Sequence, residues 1–213
     1  VGFAIKYRGG DQVIVCFMGD SVVNIGAFHE ALNMAALWKL PCLFVIENNR
    51  YGMGTPVEKA AAVDDLSKRA DGYTGMDGIV IDGMDVHAVR SAAAAAIARA
   101  RAESLPSLLE VRTYRFRGHS MSDAVSGTYR PKTELDEYTK LDPIFALKAS
   151  MVAAGTLTEK DWAAMEQEVA ATVQDSWDFA DQSPEPPPAA FYADPARSDQ
   201  WLRYLNRTKL TRA

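Results

Sequence analysis

Oxygen-bearing side chains stand at the ends of two consecutive apolar runs near the start of the sequence. Asp20 follows the run at 12–18. Asn48 and Asn49 follow the next run, at 41–47. Carboxylate, carboxamide and free backbone carbonyl oxygens are ligands that Mg²⁺ or Ca²⁺ prefers, and Mg²⁺ usually completes its octahedron with water and substrate phosphates. The pattern therefore favours a metal-bridged diphosphate site over the simpler alternative of a helix cap and a turn.

The apolar runs themselves indicate how these residues would be brought together. Two further apolar runs lie at 78–83 and 107–116, and helix-forming segments lie between runs at 24–40 and 85–104. Strands that alternate with helices predict βαβ units and a parallel sheet covered on both faces, a doubly wound α/β fold. Ligands bind beyond the carboxyl ends of such strands. We therefore expect Asp20 to lie beside the asparagines, just before a helix N-terminus that favours phosphate.

The second half of the sequence changes character. Residues 115–138 show neither the helix nor the strand period and predict a long polar loop, which in a compact domain is usually functional or mobile. After this loop the chain becomes helical, with a proline-rich connector before its tail. We therefore divide it into an α/β domain at 1–138, incomplete at its N-terminus, and a helical extension with a tail at 139–213.

Capping signals mark the helices of the extension. Asp142 before Pro143 predicts an N-cap with proline in the first helical position, and Gly155 predicts the C-terminal stop. Thr158 and Asp161 have the spacing of a capping box. The sequence thus predicts one helix before Gly155 and a second helix after Thr158.

Composition excludes several classes of protein. The 213 residues are 48% hydrophobic and 24% charged, as in an ordinary globular chain. The net charge of -5 argues against nucleic acid as the main partner, and the longest apolar runs are too short to span a membrane. Cys16 and Cys42 each lie inside an apolar run, which predicts two buried thiols in a reducing compartment rather than a disulfide.

Several motifs together resemble one known family. "GDS", followed after 26 residues by "NN", resembles the thiamine diphosphate fingerprint. The strings "EALNMAALWKLPCLFVIENNRYGMGT", "DGMDVHAVR" and "YRFRGHSMSD" are similar to the alpha subunits of the pyruvate dehydrogenase decarboxylating component, a family of 2-oxo acid dehydrogenases. The resemblance is strong over 1–138 and continues more weakly through "DPIFALK" and "PEPPP". It implies the thiamine diphosphate-binding fold, with the family's N-terminal segment missing from this sequence.

The resemblance implies a role for individual residues of the opening motif. The side chains of Asp20 and Asn49 would ligate Mg²⁺, with the backbone carbonyl of Tyr51 as a third ligand. Ser21 and Val22 would contact the cofactor diphosphate through their backbone. The family usually has glycine and alanines where this chain has Ser21 and two valines, and we expect the bulkier side chains to crowd the approach of the phosphate.

The resemblance also covers the polar loop. His119 matches the histidine of the family's active-site loop, which contacts the diphosphate end of the cofactor and assists acyl transfer. Ser120 matches a serine that regulatory kinases modify in mitochondrial relatives, where the added charge would disfavour ordering of the loop. Arg115 and Arg117 could pair with phosphate or with acidic surface residues, and the sequence does not decide between these two possibilities.

The activity implied is decarboxylation of pyruvate and transfer of the two-carbon fragment to the lipoyl group of an acyltransferase component. A beta subunit would complete the site in an α₂β₂ assembly, so we expect little activity from this chain alone. The expected location is the bacterial cytoplasm, the mitochondrial matrix or the plastid stroma. Two alternatives stay open: an acetoin or branched-chain 2-oxo acid dehydrogenase alpha subunit, and a structural subunit that binds no cofactor.

Overall fold

The computed structural model describes residues 1–121, 123 and 130–187. The expectation of a loop over 115–138 is wrong at its end, because a helix covers Lys132–Thr139. The rest of that loop is described in part, and most of the proline-rich connector and the tail lie outside the described residues. By contacts the chain forms two compact units, residues 1–156 and residues 157–213. The functional division after residue 138 stays a prediction.

A four-stranded parallel sheet forms the centre of the first unit. In chain order the strands of the protein are β1 (Ile14–Gly19), β2 (Cys42–Asn48), β3 (Tyr51–Gly52), β4 (Thr55–Pro56), β5 (Asp77–Asp82) and β6 (Ser107–Arg112). The sheet has the order β1-β2-β6-β5, with every neighbouring pair parallel, while β3 and β4 form a small antiparallel hairpin. The predicted α/β fold with a parallel sheet is confirmed.

Helices connect the strands and extend the chain. They are α1 (Gly2–Tyr7), α2 (Gly26–Leu37), α3 (Val57–Ala60), α4 (Val86–Glu103), α5 (Lys132–Thr139), α6 (Pro143–Ala153) and α7 (Glu159–Gln182), with 3₁₀ turns at Asp20–Asn24 and Leu66–Gly72. Within the described residues, none of these helices combines the length and apolar character needed to cross a bilayer.

The core has two halves, one on each face of the sheet. Alternate residues of β2 point to opposite faces. Phe44 and Ile46 join the half that contains Leu32 of α2, whereas Leu43 and Val45 join the half that contains Ala96 and Ala100 of α4. Because β2 is buried on both sides, its sequence is continuously apolar rather than alternating.

The two cysteines differ, which corrects one expectation. Cys42 at the start of β2 is buried, and burial raises the pKa of its thiol to about 11. Cys16 is exposed, contrary to the expectation of two buried thiols. It lies on β1, which is an edge strand among the described strands of the sheet, with β2 as its neighbour there.

The capping signals of the extension are confirmed. The Asp142 carboxylate accepts the backbone N–H of Ile144 at 2.8 Å, and α6 begins at Pro143. Gly155 has φ of +70°, the left-handed conformation typical of a residue after a helix. Thr158 and Asp161 form both hydrogen bonds of a capping box at the start of α7.

We expect Gly78→Ala to destabilise the sheet. A β carbon on Gly78 of β5 would lie 2.2 Å from the carbonyl oxygen of Ser67, which belongs to the second 3₁₀ turn. Relieving that overlap requires backbone to move, at a cost of about 1–3 kcal/mol. The matched control is Gly72→Ala, because a β carbon there meets no atom within 4 Å. Calorimetric melting of the complete protein should show a lower melting temperature for Gly78→Ala only, and equal shifts for both variants would contradict this packing.

Candidate functional site

The carboxyl ends of β1 and β2 lie side by side. The parallel register pairs Gly19 with Glu47, so Asp20 follows β1 at the level of Asn48 on the neighbouring strand. Adjacent strands are separated by about 4.8 Å. Asp20 and the Asn48–Asn49 pair therefore share one edge of the sheet, as the sequence predicts.

The segment after Asp20 differs from the expectation. A 3₁₀ turn covers Asp20–Asn24, and α2 begins only at Gly26, so Asp20 does not lead directly into an α-helix. In this turn Val23 is fully buried and Val22 packs against the same half of the core. Both valine side chains therefore contribute to core packing, and Ser21 is the exposed residue of the three. The expected crowding of the phosphate stays a prediction.

Asp20 is a buried carboxylate, with only 3% of its surface exposed. Burial raises its pKa, and its backbone N–H, the Arg115 charge and the Ser21 hydroxyl act in the opposite direction. None of the ion pairs found among the described residues includes Asp20. A buried carboxylate is costly unless a cation or several donors compensate it, so this position favours a bound cation.

The donor set fits a hard divalent metal. The described residues contain no group of three or more His, Cys, Asp or Glu side chains that could hold a metal ion. A metal at Asp20 would therefore need amide and carbonyl oxygens in addition to the carboxylate. Asn49 and the Tyr51 carbonyl, on the turn that follows β2, offer such oxygens, and this chemistry suits Mg²⁺ rather than Zn²⁺.

The structure distinguishes the two asparagines. The Asn48 amide nitrogen donates to Glu110 Oε1 at 2.8 Å, and its amide oxygen accepts the backbone N–H of Arg50 at 3.0 Å. Both ends of the Asn48 side chain are therefore occupied within the protein. Asn49 is only half-buried, and its Oδ1 accepts the backbone N–H of Tyr51 at 3.2 Å. Each amide oxygen retains a second lone pair, but that of Asn48 belongs to a buried side chain that Glu110 holds in place. Asn49 is accordingly the better placed ligand.

Glu110 is a site residue that our sequence analysis missed. It lies in β6, is completely buried, and accepts hydrogen bonds from Asn48 Nδ2, Ser67 N and Arg112 Nε at 2.8, 3.2 and 3.0 Å. The hydrogen bond from Arg112 raises the pKa of that guanidinium. A glutamate inside the apolar run "SLLEV" was the available signal, since a buried charge needs partners.

Arg115 holds the turn that carries the other ligands. Its guanidinium donates to the backbone oxygens of Tyr51 at 2.7 Å and Met53 at 2.9 Å. Because a carbonyl oxygen has two lone pairs, the Tyr51 carbonyl keeps one for a further partner. Arg115 also acts electrostatically on Asp20. Of its two sequence-based readings, pairing with phosphate or with surface acids, neither describes these contacts to backbone oxygens.

Helix α5 is fastened to the same turn. The Tyr51 hydroxyl donates to the Glu134 carboxylate at 3.1 Å, and burial together with this hydrogen bond raises the Tyr51 pKa to about 12. Arg50 donates to the Tyr138 hydroxyl at 2.9 Å. The Tyr138 ring stacks on Tyr114 with centroids 4.0 Å apart. The residues after β6 and α5 therefore support the turn from both sides.

His119 and Ser120 lie in a separate surface pocket. Both are exposed, and the pocket they line includes Arg117 and Asp123 but none of the three candidate metal ligands. The Ser120 backbone N–H donates to the Asp123 carboxylate at 2.9 Å. The base of this segment is held by Arg130, which donates to the backbone oxygens of Arg115 and Arg117. The structure thus places Asp20 and the segment with Asn49 and Tyr51 at one edge of the sheet, whereas the described residues that line a pocket with His119 include none of these three.

Comparison with known proteins identifies one family. The profile of the family described as "Dehydrogenase E1 component" matches residues 1–189.

Individual relatives agree with that match. A pyruvate dehydrogenase E1 component subunit alpha of Rhizobium meliloti (strain 1021) is 44% identical over 195 residues, which are 91% of this chain and 55% of the relative. The human mitochondrial somatic form of that subunit is 45% identical over 188 residues, 88% of this chain and 47% of the relative. The chain spans about half the length of the curated relatives it matches.

We expect Glu110→Gln to destabilise the protein at the edge of the sheet that carries Asp20 and Asn49. The amide keeps the size of the side chain but removes the charge that Arg112 pairs with, and its single oxygen cannot accept from donors at both former carboxylate oxygens. The expected loss of stability is about 1–3 kcal/mol, measured as a fall in the urea midpoint of the complete protein. Glu47→Gln is the matched control, because Glu47 is exposed at the end of β2. Equal effects of the two substitutions would show that the buried network does not stabilise this edge.

Proposed function

This chain belongs to the dehydrogenase E1 component family, and we propose that it is the metal- and diphosphate-binding part of a pyruvate dehydrogenase alpha subunit. The family depends on thiamine diphosphate. When bound, that cofactor supplies the electron sink for cleaving the bond between the carboxyl and carbonyl carbons of a 2-oxo acid. The chain's own residues bind, orient and transfer protons.

The buried Asp20 carboxylate is the single observation that carries the proposal. It has 3% exposure and lies at the edge of the sheet that also presents Asn49. Asp20, Asn49 and the Tyr51 carbonyl would hold Mg²⁺, and the backbone N–H groups of Ser21 and Val22 would contact the diphosphate. The metal would supply the positive charge that the buried carboxylate lacks and would neutralise the phosphates.

His119 would assist acyl transfer from the exposed loop. An imidazole can donate or accept a proton near neutral pH, and its exposure makes it accessible to a second protein. Ser120 is the proposed phosphorylation site. Its backbone N–H bonds Asp123, so a phosphoryl group would add about 1.5–2 negative charges beside an existing carboxylate and disfavour this arrangement.

The partners follow from the proposed identity. A beta subunit would supply the part of the site that binds the pyrimidine end of the cofactor, in an α₂β₂ assembly. A lipoyl-bearing acetyltransferase would accept the two-carbon fragment derived from pyruvate. Relatives include bacterial and mitochondrial proteins, and we propose one of those settings, or the plastid stroma, for this chain.

Asp20→Asn should abolish cofactor binding by the complete subunit assembled with its beta partner. Substituting residues that only orient a metal's ligands weakens metal binding about 10- to 100-fold, so removing a charged ligand should weaken it more than about 100-fold. Isothermal titration with Mg²⁺-thiamine diphosphate measures this loss. Without cofactor, the variant should melt no lower than the parent, because it no longer buries a charge.

Asp71→Asn is the control for that experiment, since Asp71 is an exposed aspartate far along the chain from the site edge. Unchanged binding by Asp20→Asn would contradict the proposed site. A parent assembly that neither binds the cofactor nor gains thermal stability from it would instead favour the structural-subunit alternative.

Substrate preference separates pyruvate from the other family activities. The reconstituted enzyme should decarboxylate pyruvate with a higher kcat/KM than 2-oxoisovalerate, and it should not prefer acetoin. The string "NNRYGMGT" favours pyruvate, whereas "NIGAFHEAL" has some likeness to acetoin enzymes. A preference for either competing substrate would overturn the pyruvate assignment while leaving the family intact.

His119→Gln should slow acetylation of the lipoyl domain more than it slows decarboxylation. Proton transfer by a positioned side chain contributes about 10²- to 10⁴-fold, so acetylation of the lipoyl domain should fall within that range. Decarboxylation with an artificial electron acceptor should fall less. His87→Gln, at an exposed position of α4, is the matched control. Equal losses in both half-reactions would remove the assignment of His119 to acyl transfer.

A further inference from the structure

Tyr51 forms hydrogen bonds through its backbone and through its side chain. Its N–H donates to Asn49 Oδ1 at 3.2 Å, and its carbonyl oxygen accepts the Arg115 guanidinium at 2.7 Å. Its hydroxyl donates to the Glu134 carboxylate, whose two oxygens both lie at 3.1 Å. Only 8% of the residue is exposed. Two of the three candidate Mg²⁺ ligands, the Tyr51 carbonyl and the Asn49 amide oxygen, therefore depend on the position of this one residue.

The backbone around Tyr51 does not determine that position by itself. Tyr51 and Gly52 form β3, which pairs only with the two residues of β4. The partner of Tyr51 is Pro56, and a proline nitrogen has no hydrogen to donate. An isolated two-stranded hairpin is marginally stable at best. Contacts made by side chains must therefore hold this hairpin against the rest of the protein.

Glu134 provides such a contact from a distant part of the sequence. It lies in the first turn of α5, 83 positions after Tyr51, and is half-buried. The ion pairs found in the described part of the chain do not include it. The helix dipole favours a negative charge in a first turn, and a hydrogen bond to an ionised oxygen is roughly twice as strong as a neutral one. The Tyr51 hydroxyl thus has a strong acceptor that belongs to another element.

We propose that Glu134 is a positioning residue of the metal site. By accepting the Tyr51 hydroxyl it sets the direction of the Tyr51 carbonyl and, through the Tyr51 N–H, that of the Asn49 amide oxygen. Glu134 acts on the metal through Tyr51. The role in Mg²⁺ binding rests on the proposed function, whereas the link between α5 and the hairpin does not.

Tyr51→Phe tests the role in Mg²⁺ binding, because it removes the hydroxyl and leaves the carbonyl ligand. In the complete subunit assembled with its beta partner, Mg²⁺ is titrated calorimetrically in the presence of excess thiamine diphosphate. The Mg²⁺ concentration at half-maximal binding should rise about 10-fold, the lower end of effects seen for groups that orient metal ligands. The affinity for thiamine diphosphate at saturating Mg²⁺ should change less, whereas a general loss of structure would weaken both.

Tyr73→Phe is the matched control, because the Tyr73 hydroxyl bonds to His29 and not to the hairpin. It should leave the Mg²⁺ midpoint unchanged. A midpoint that stays unchanged in Tyr51→Phe, or that rises equally in both variants, would overturn the positioning role.

Two substitutions of Glu134 separate the hydrogen bond from the presence of the side chain. Glu134→Gln keeps an oxygen that can accept the Tyr51 hydroxyl, so the Mg²⁺ midpoint should stay close to that of the parent. Glu134→Leu removes every acceptor and should raise the midpoint about as much as Tyr51→Phe does. In the Tyr51→Phe background Glu134→Leu should add little, because the bond is already absent. Equal effects of the two Glu134 variants, or additive effects in the double variant, would reject the role of Glu134.

The outcomes distinguish this inference from the proposed function. If Asp20→Asn abolishes cofactor binding and Tyr51→Phe leaves the Mg²⁺ midpoint unchanged, the metal site stands and the positioning role is rejected. If Asp20→Asn has no effect on binding, the proposed function fails. The link between α5 and the hairpin is decided in either case by melting the cofactor-free assembly, where Tyr51→Phe and Glu134→Leu should lower the melting temperature less than additively. Additive losses would show that these two side chains are not coupled.

Discussion

The buried carboxylate of Glu110 is the interaction on which the site edge depends. It lies in a central strand, pairs with Arg112 of that strand, and joins the strand to two other segments through hydrogen bonds from Asn48 and Ser67. An isolated buried charge would destabilise the fold, but this carboxylate is paired with Arg112 and accepts three hydrogen bonds. Its contact with Asn48 sets the orientation of that amide, which in turn accepts the Arg50 N–H and shapes the turn after β2. The buried Glu110 network inside the sheet therefore helps to fix the positions of the candidate ligands.

The turn itself needs this support because its backbone is unusual. Arg50 and Met53 have positive φ angles of 74° and 55°, a backbone conformation that residues other than glycine rarely adopt. Such conformations persist only where the surroundings stabilise them. Here the Asn48 amide oxygen accepts the Arg50 N–H, and the Arg115 guanidinium donates to the backbone oxygens of Tyr51 and Met53. The result is a carbonyl oxygen and an amide side chain held near a buried acid.

Much of this arrangement could be predicted from sequence, because periodicity and capping are local properties. Strand composition predicted the parallel sheet, and the ends of the strands predicted that Asp20 lies beside the asparagines. The spacing of Thr158 and Asp161 predicted the start of a helix. What escaped prediction depends on tertiary contacts. The difference between Asn48 and Asn49 is set by Glu110, which looks like one more residue of a strand. The 3₁₀ turn after Asp20 forms together with core packing by Val22 and Val23, which no helical period indicates.

The serine in "GDS" shows how a tertiary contact can change the meaning of a motif. Judged along the chain, serine replaces glycine where phosphate approaches, and its side chain is only an obstacle. In the folded protein the adjacent turn offers space at Gly52, and the Ser21 hydroxyl lies in that space. A residue that adds bulk at one position can thus be accommodated by the absence of bulk at another, 31 positions later in the sequence. Position 21 therefore has to be interpreted together with position 52, because the room for the Ser21 side chain is provided by Gly52, in the segment after β2.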